Sequence, residues 1–201
     1  MTLNPLPLFH HFGVAVIKAQ VHNGGNHRTE SMSMAEQPHL DDDTLAFAER
    51  VFDMARQGDT EQLQPLLEQG LPANLRNSKG DSLLMLAAYN GHRDTAALIL
   101  QHGGDPELAN QRCQTPLAGV IFKGDKAMIE LLIEHGADVN GCPEGGKPPL
   151  MYAAMFDRPD ILQRLLEAGA NPQASDAEGN TALKLAMAMG ASEAAALLQA
   201  Q

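Results

Sequence analysis

The sequence predicts an all-α solenoid, in which five helix-turn-helix units are joined by short β-hairpin-like turns. Two observations of composition and one of pattern predict this fold. Hydrophobic residues make up 44% of the 201 residues, and aromatic residues make up only 4%. The apolar side chains are chiefly Ala, Leu and Met, which favour helices over strands. Glycines and apolar residues also recur every 33 residues, with two short helical patterns in each interval.

Several sets of positions share the period of 33 residues. They are Gly80, Cys113, Gly146 and Gly179; Leu84, Leu117, Leu150 and Leu183; Ala87, Val120, Ala153 and Ala186; Gly58, Gly91, Gly124, Asp157 and Gly190; and Gly70, Gly103, Gly136 and Gly169. Agreement at one spacing indicates an internal repeat, whose units bury their apolar faces only by stacking on one another.

The repeat divides the chain into an N-terminal extension, residues 1–43, and a repeat domain, residues 44–201. The five units span residues 44–76, 77–109, 110–142, 143–175 and 176–201. The first unit lacks the turn motif and the last ends with its second helix, so we expect both to cap the stack. The extension is polar and unpatterned, which predicts disorder, and Met34 is an alternative start for the native chain.

Each unit is expected to hold two helices. A glycine-containing turn comes first, followed by a short helix such as residues 82–89 and a break at Gly or Asp. The second helix, residues 126–134 in the third unit, buries apolar side chains and ends at a glycine such as Gly136. Pro65 lies inside the second helix of the first unit, where we expect it to kink or shorten that helix.

Several segments of the repeat resemble ankyrin repeats. They read GDSLLMLAAYNGH, QTPLAGVIFKGD, LLIEHGADVN, LLEAGANP and GNTALKLAMAMGA. The resemblance covers residues 44–201 and implies a non-enzymatic module for protein–protein interaction. The family's Thr-Pro-Leu-His motif has lost its His in every unit, which implies that the hydrogen bonds of that His are missing here.

In ankyrin repeats the concave face consists of the turn tips and the exposed side of the first helices. We call the two residues at the C-terminal end of each first helix its exit. Exits carry apolar residues at five positions where polar ones are expected, and these form the apolar row: Tyr89, Phe122, Met155, Phe156 and Met189. Three cations lie beside it and form the basic stripe: Arg112, Lys123 and Arg158. Exposed apolar rows often mark interfaces, so we predict that the row, the stripe and Asn90 contact a partner protein. The alternative interpretation is that the row packs on the neighbouring unit.

No catalytic, cofactor-binding or metal-binding residue is predicted. Four histidines of the extension have neither helical spacing nor a nearby cysteine: His10, His11, His22 and His27. Three more lie at helix ends, where we expect them to cap carbonyls or face water: His92, His102 and His135. Cys113 and Cys142 are expected to remain unpaired thiols.

The charge of the chain bears on its partners and location. The formal net charge is -11, which repels phosphate backbones and anionic membrane surfaces. No apolar run approaches the ~20 residues that a membrane-spanning helix needs. We therefore expect a protein partner, no nucleic-acid or membrane partner, a monomer or weak homodimer, and a location in a bacterial cytoplasm. The alternative function is that of a dedicated inhibitor or immunity protein for an enzyme or toxin encoded nearby.

Overall fold

Ten helices form the part of the chain that the computed structural model describes, residues 42–201. They are α1 (Asp42–Gln57), α2 (Thr60–Glu68), α3 (Leu83–Tyr89), α4 (Arg93–Gln101), α5 (Pro116–Lys123), α6 (Lys126–Glu134), α7 (Pro149–Met155), α8 (Pro159–Glu167), α9 (Ala182–Met189) and α10 (Ser192–Gln199). Isolated antiparallel bridges join Arg76 to Ser82 and Ser175 to Thr181, while no β-strand forms within the described range. The predicted all-α fold with hairpin-like turns is confirmed.

The helices form two rows along the stack. The first helices of successive units, α1, α3, α5, α7 and α9, pack side by side, and each second helix packs on the first helix of its own unit. The buried positions of the first helices are rich in alanine, which lets neighbouring helices approach closely. The core is continuous between the two rows from Val51 to Leu198. The stacking of the units buries this core, since no unit has a core of its own.

Hydroxyl groups fix the starts of three first helices. The side chains of Ser82, Thr115 and Thr181 each accept a hydrogen bond from the backbone N–H three residues later, at 3.0, 3.3 and 3.4 Å. Such a cap satisfies one of the free donors at a helix start and stabilises the helix by about 1 kcal/mol. Because the caps recur at the same place in the unit, they place successive helix exits in the same register.

The shortening expected at Pro65 in the second helix of the first unit does not occur. Helix α2 has nine residues, as α4, α6 and α8 do, so Pro65 does not shorten it. The carbonyl of Pro65 still accepts from the N–H of Gln69 at 3.1 Å, and the loss of one donor is tolerated on this exposed face. In the fourth unit the left-handed residue of the turn is Gly145, one position before Gly146, the residue that aligns with Gly80, Cys113 and Gly179. Gly146 is needed for another reason: a Cβ there would lie 2.7 Å from the carbonyl oxygen of Cys113.

The ends of the stack differ from its middle. Helix α1 begins at Asp42, so Asp42 and Asp43 are helical and do not belong to the predicted extension. The expected disorder of the extension and the alternative start at Met34 concern residues outside the described range. None of the helices within residues 42–201 is both long enough and apolar enough to cross a bilayer.

Candidate partner-binding face

The apolar row lies at the exits of the first helices, on a backbone that the core holds in place. Residues one turn earlier in these helices, such as Leu84, Leu117 and Leu150, are buried, and they fix the direction in which the exits point. Tyr89, the last residue of α3, is 37% exposed, and Phe122 in α5 is 47% exposed. The apolar row therefore lies beyond the buried part of each first helix.

Side chains of neighbouring units meet along the row. The rings of Phe122 and Phe156 pack edge to face, with centroids 5.0 Å apart and an interplanar angle of 74°. The ring of Tyr89 lies against Gly119 of the next unit, where a Cβ would stand 3.4 Å from Cδ2. These contacts orient the rings without covering them, since Phe122 keeps almost half of its surface exposed.

The remaining members of the predicted site are placed less uniformly. Met155 and Phe156 are half-buried, whereas Met189 is 59% exposed at the end of α9. Asn90 is exposed, and its side-chain amide donates to the carbonyl of Leu86 at 2.8 Å. That amide therefore caps the end of α3 in the free protein.

The basic stripe follows the same side of the stack. The ammonium group of Lys123 lies 4.7 Å from the centroid of the Tyr89 ring, within the range of a cation–π contact. The guanidinium carbon of Arg158 lies 3.4 Å from where a Cβ of Gly124 would stand. Arg112 is exposed on the turn tip of the third unit, where its backbone N–H donates to Asn110 Oδ1 at 2.9 Å. Lys123 thus touches a residue of the row, while Arg112 stands apart on the turn.

Three basic side chains outside the stripe, Lys126, Lys147 and Arg164, form ion pairs that join units. Arg164 binds Glu130 through two hydrogen bonds of 2.7 and 2.8 Å. Lys147 binds Asp176 at 2.8 Å, and the side chain of Asp176 is only 2% exposed. The Lys147 ammonium, together with backbone donors, holds the pKa of Asp176 well below its usual range. These pairs tie neighbouring units together. Because each joins a cation to a carboxylate, the positive charges of Lys147 and Arg164 are already neutralised.

Comparison with known proteins identifies the repeat. A family model described as ankyrin repeats (3 copies) matches three overlapping stretches, residues 51–142, 84–176 and 141–201. The chain belongs to the ankyrin-repeat family. It is also 57% identical over 67 residues to a Pseudomonas aeruginosa protein described as a putative ankyrin repeat protein; this stretch is 33% of the present chain and 39% of the relative. The match therefore spans well under two thirds of that relative's length.

Membership in the ankyrin-repeat family supports a role in protein–protein interaction, since this family is generally a non-enzymatic interaction domain. The His that its motif usually carries is replaced here by Met85, Ala118 and Met151, which are buried, and by Lys184, which is exposed. Side-chain hydrogen bonds at other positions join the units instead. Asn140, for example, donates to the carbonyl of Gly169 at 3.0 Å and accepts from the N–H of Asn171 at 2.8 Å.

The thiols and histidines among residues 42–201 are single residues whose contacts are with the protein backbone or with their own surroundings. Cys113 and Cys142 are free, and burial raises the pKa of the Cys142 thiol. The ring nitrogens of His92, His102 and His135 each lie 2.9 Å from a backbone carbonyl, which confirms their predicted capping role. Within residues 42–201 no group of three His, Cys, Asp or Glu side chains is placed to hold a metal ion.

Sequence reasoning missed the role of Asp157. It occupies a column of glycines and keeps their left-handed backbone, with φ of +48°. Its carboxylate accepts a hydrogen bond from the N–H of Ala194 at 2.9 Å, in the first turn of α10. The residue before helix α10 is Ala191, whose side chain cannot cap the helix, so a neighbouring unit supplies the cap. The sequence did offer a signal for this role, since Asp157 is the only acidic residue at a position that is otherwise glycine in every unit.

Proposed function

We propose that this ankyrin-repeat protein binds a partner protein through the concave face of its stack, with the apolar row as anchor and the basic stripe as orienting charge. The exposed and pre-oriented ring of Phe122 is the observation that carries the proposal. Its edge contact with Phe156 limits its motion, so little conformational entropy remains to be lost on binding. Aromatic side chains in such positions commonly contribute most of the free energy of association.

The roles of the predicted residues follow from their surroundings. Tyr89, Phe122 and Met189 present the largest exposed apolar surfaces of the row, while Met155 and Phe156 support them from half-buried positions. Asn90 would offer its carbonyl oxygen, since its amide group caps α3. We further propose that residues 44–201 act as one repeat domain, as a monomer or weak homodimer in a bacterial cytoplasm; the P. aeruginosa relative supports the bacterial assignment.

Affinity capture from native lysate tests the proposal. The baits are the wild-type chain, Phe122→Asp, and the matched control Leu45→Asp, whose Leu45 is also 47% exposed but lies in α1 outside the row. We expect mass spectrometry to find a partner with wild type and the control that is lost with Phe122→Asp. Removing a central aromatic anchor costs about 2 kcal/mol or more, a loss of about 30-fold in affinity.

Circular dichroism melts of each bait show whether it is folded. Recovery of the same partner by a folded Phe122→Asp variant would remove this face from consideration. The identity of the captured protein also distinguishes a general interaction module from a dedicated inhibitor or immunity protein. A single tightly bound enzyme or toxin would favour the dedicated inhibitor or immunity protein, whereas several weaker partners would favour a general interaction module.

A further inference from the structure

We infer that the partner contributes an acidic segment that carries one aromatic or large aliphatic side chain. This inference rests on the proposed function, and it names the chemistry of the partner at the same face. It is drawn from the sign of the charges beside the apolar row, from their lack of ion-pair partners, and from the ring contacts that lie between them.

The charge beside the row is opposite to that of the whole chain. The chain carries a formal net charge of -11, yet Lys123 is the one charged residue among the exits of α3, α5, α7 and α9. Arg158 lies against Gly124, the next residue in the chain, and Arg112 lies on the turn tip of the same unit as Lys123. Two acids lie nearby in the sequence, Asp125 and Asp157. Their carboxylates accept hydrogen bonds from the backbone N–H groups of Met128 and Ala194. These hydrogen bonds do not neutralise a carboxylate, but the three cations of the stripe outnumber the nearby Asp125 and Asp157, so the charge beside the row is positive on a chain that is acidic overall.

The cations of the stripe have no carboxylate partner within the described residues. Ion pairs there involve four other basic residues, Arg56, Lys126, Lys147 and Arg164. Lys123 lies on an aromatic ring instead, and Arg158 lies against a glycine. A carboxylate brought by a partner could bind these groups without first breaking an ion pair, so its hydrogen bonds would be a net gain.

The ring contacts place an apolar subsite next to this charge. The ammonium group of Lys123 lies over the ring of Tyr89. Phe122 is the residue before Lys123 in α5, and its ring is exposed. A segment that lays a carboxylate on Lys123 can therefore direct a neighbouring aromatic or aliphatic side chain against Phe122. Burying that side chain supplies affinity, while the charge pair fixes orientation and speeds association.

An acidic peptide suits this face better than a nucleic acid does. A nucleic acid presents a regular array of phosphates, and binding it usually requires many cations along an extended path. Here the stripe has three cations, and the rest of the chain is strongly acidic. A short acidic segment can reach the stripe while the remainder of the partner stays clear of the negative surface.

The test selects peptides from a phage-displayed random library on the full chain and measures the most enriched one as a synthetic peptide by calorimetry. We expect enriched peptides to carry a net negative charge and at least one aromatic or large aliphatic residue. We expect the double variant Lys123→Glu with Arg158→Glu to lower the affinity at least about tenfold, the loss typical of a removed interfacial charge pair. Higher salt concentration should weaken wild-type binding.

The matched control is Arg93→Glu together with Arg50→Glu, which changes the net charge equally at exposed residues outside both the stripe and the turn tips. Near-equal losses in control and test variants overturn the inference, because only net charge would then matter. Neutral or basic enriched peptides, or no enriched peptide, overturn it as well. Tighter binding of a labelled single-stranded oligonucleotide than of the acidic peptide would assign the stripe to nucleic acid instead.

Failure of the inference can be told from failure of the proposed function. Binding that is lost in Phe122→Asp but kept in the charge-reversed variant leaves the concave face as the interface and removes the acidic partner. Binding that survives both changes removes both. Circular dichroism of every variant ensures that only folded chains are compared.

Discussion

Cys113 holds a backbone conformation that corresponding turns of this protein give to glycine. Its φ is +55°, beside +77° at Gly80 and +75° at Gly179. The left-handed region brings a Cβ too close to the following carbonyl oxygen, at a cost of about 1–2 kcal/mol for residues other than glycine. The Cys113 thiol is half-buried and unpaired, so the strain has no visible compensation.

We expect Cys113→Gly to raise the free energy of unfolding by about 0.5–1 kcal/mol, since the relief of strain exceeds the entropy that glycine loses on folding. Urea denaturation followed by circular dichroism measures the change. Cys142→Ser serves as the control, because Cys142 is exposed, and it should leave the stability nearly unchanged. A Cys113→Gly variant no more stable than wild type would show that the thiol packs usefully.

At one position of the repeat, a side chain links its unit to the next one. Glu107 occupies this position in one unit, and it lacks the amide group that the corresponding residues of two other units use. Asn74 and Asn140 occupy the same position in other units, and each both donates and accepts across a unit boundary. Glu107 accepts from the N–H of Asp138 at 2.9 Å. Burial raises its pKa above the ordinary 4.5, and the charges of Asp138 and Asp105 add to the effect.

We expect Glu107→Asn to stabilise the protein at neutral pH by about 0.5–1 kcal/mol, through a restored donor and a removed charge. A raised pKa means that the folded chain binds the proton more tightly than the unfolded chain does. The penalty of ionised Glu107 is therefore present at neutral pH and disappears as the pH falls through the raised pKa toward 4.5. The difference between the melts of the two proteins should narrow as the pH falls across this range, leaving only the part due to the restored donor, and a constant difference would contradict the assignment.

At the scale of the element, α10 depends on a residue of another unit for its start. The carboxylate of Asp157 accepts from the N–H of Ala194, while Ala191 at the helix start offers no acceptor. The same residue keeps the left-handed backbone of the glycines in its column. Asp157 thus follows the end of the fourth unit's first helix with a left-handed backbone, while its side chain caps the fifth unit's second helix.

We expect Asp157→Ala to lower the free energy of unfolding by about 1–2 kcal/mol, because the cap is lost while the backbone strain remains. Asp157→Gly should cost less, since glycine removes that strain, and Asp157→Asn should be nearly neutral. Denaturation curves of the three variants give this order. If Asp157→Gly proved the least stable of the three, the strain would not be a significant cost.

At the scale of the whole molecule, the buried side chains are unevenly distributed along the stack. The largest fully buried ones are Leu63, Leu83, Leu84, Ile99, Leu117, Ile121, Met128, Ile129, Leu132, Leu150, Met151 and Leu162. They all lie in the first four units. The fifth unit has a smaller core, and the Lys147–Asp176 ion pair links its turn to the fourth unit. In a solenoid each unit is stabilised chiefly by its neighbours, so the fifth unit should open first.

We expect amide hydrogen exchange to be slowest in α3 to α8 and fastest in α10. Lys147→Gln should speed exchange in α9 and α10 and leave α3 and α4 unchanged, because it removes a bond at one unit boundary only. Lys147 depresses the pKa of Asp176, so the contribution of this pair is present at neutral pH and is lost as the pH falls through the depressed pKa. Equal acceleration in every helix would indicate a single cooperative unit instead.

The sequence by itself determined the period, the fold class and the positions of the helices. The spacing of 33 residues can be read directly along the chain. Local signals such as Thr115 before Pro116 act within a few residues, so they can be read without knowing the tertiary neighbours. It also marked the apolar row, since apolar residues at helix exits break the expected pattern. The predicted range 126–134 of the second helix in the third unit agrees with α6.

Only the tertiary structure decided which of these residues touch. The edge contact of Phe122 with Phe156, the cap from Asp157 to α10 and the pair of Arg164 with Glu130 each join different units. The repeat brings such residues near one another, but their rotamers and the shift of the turn at Gly145 decide the contacts. Helices follow from local spacing, whereas contacts between units depend on how far each side chain reaches across a stacked boundary.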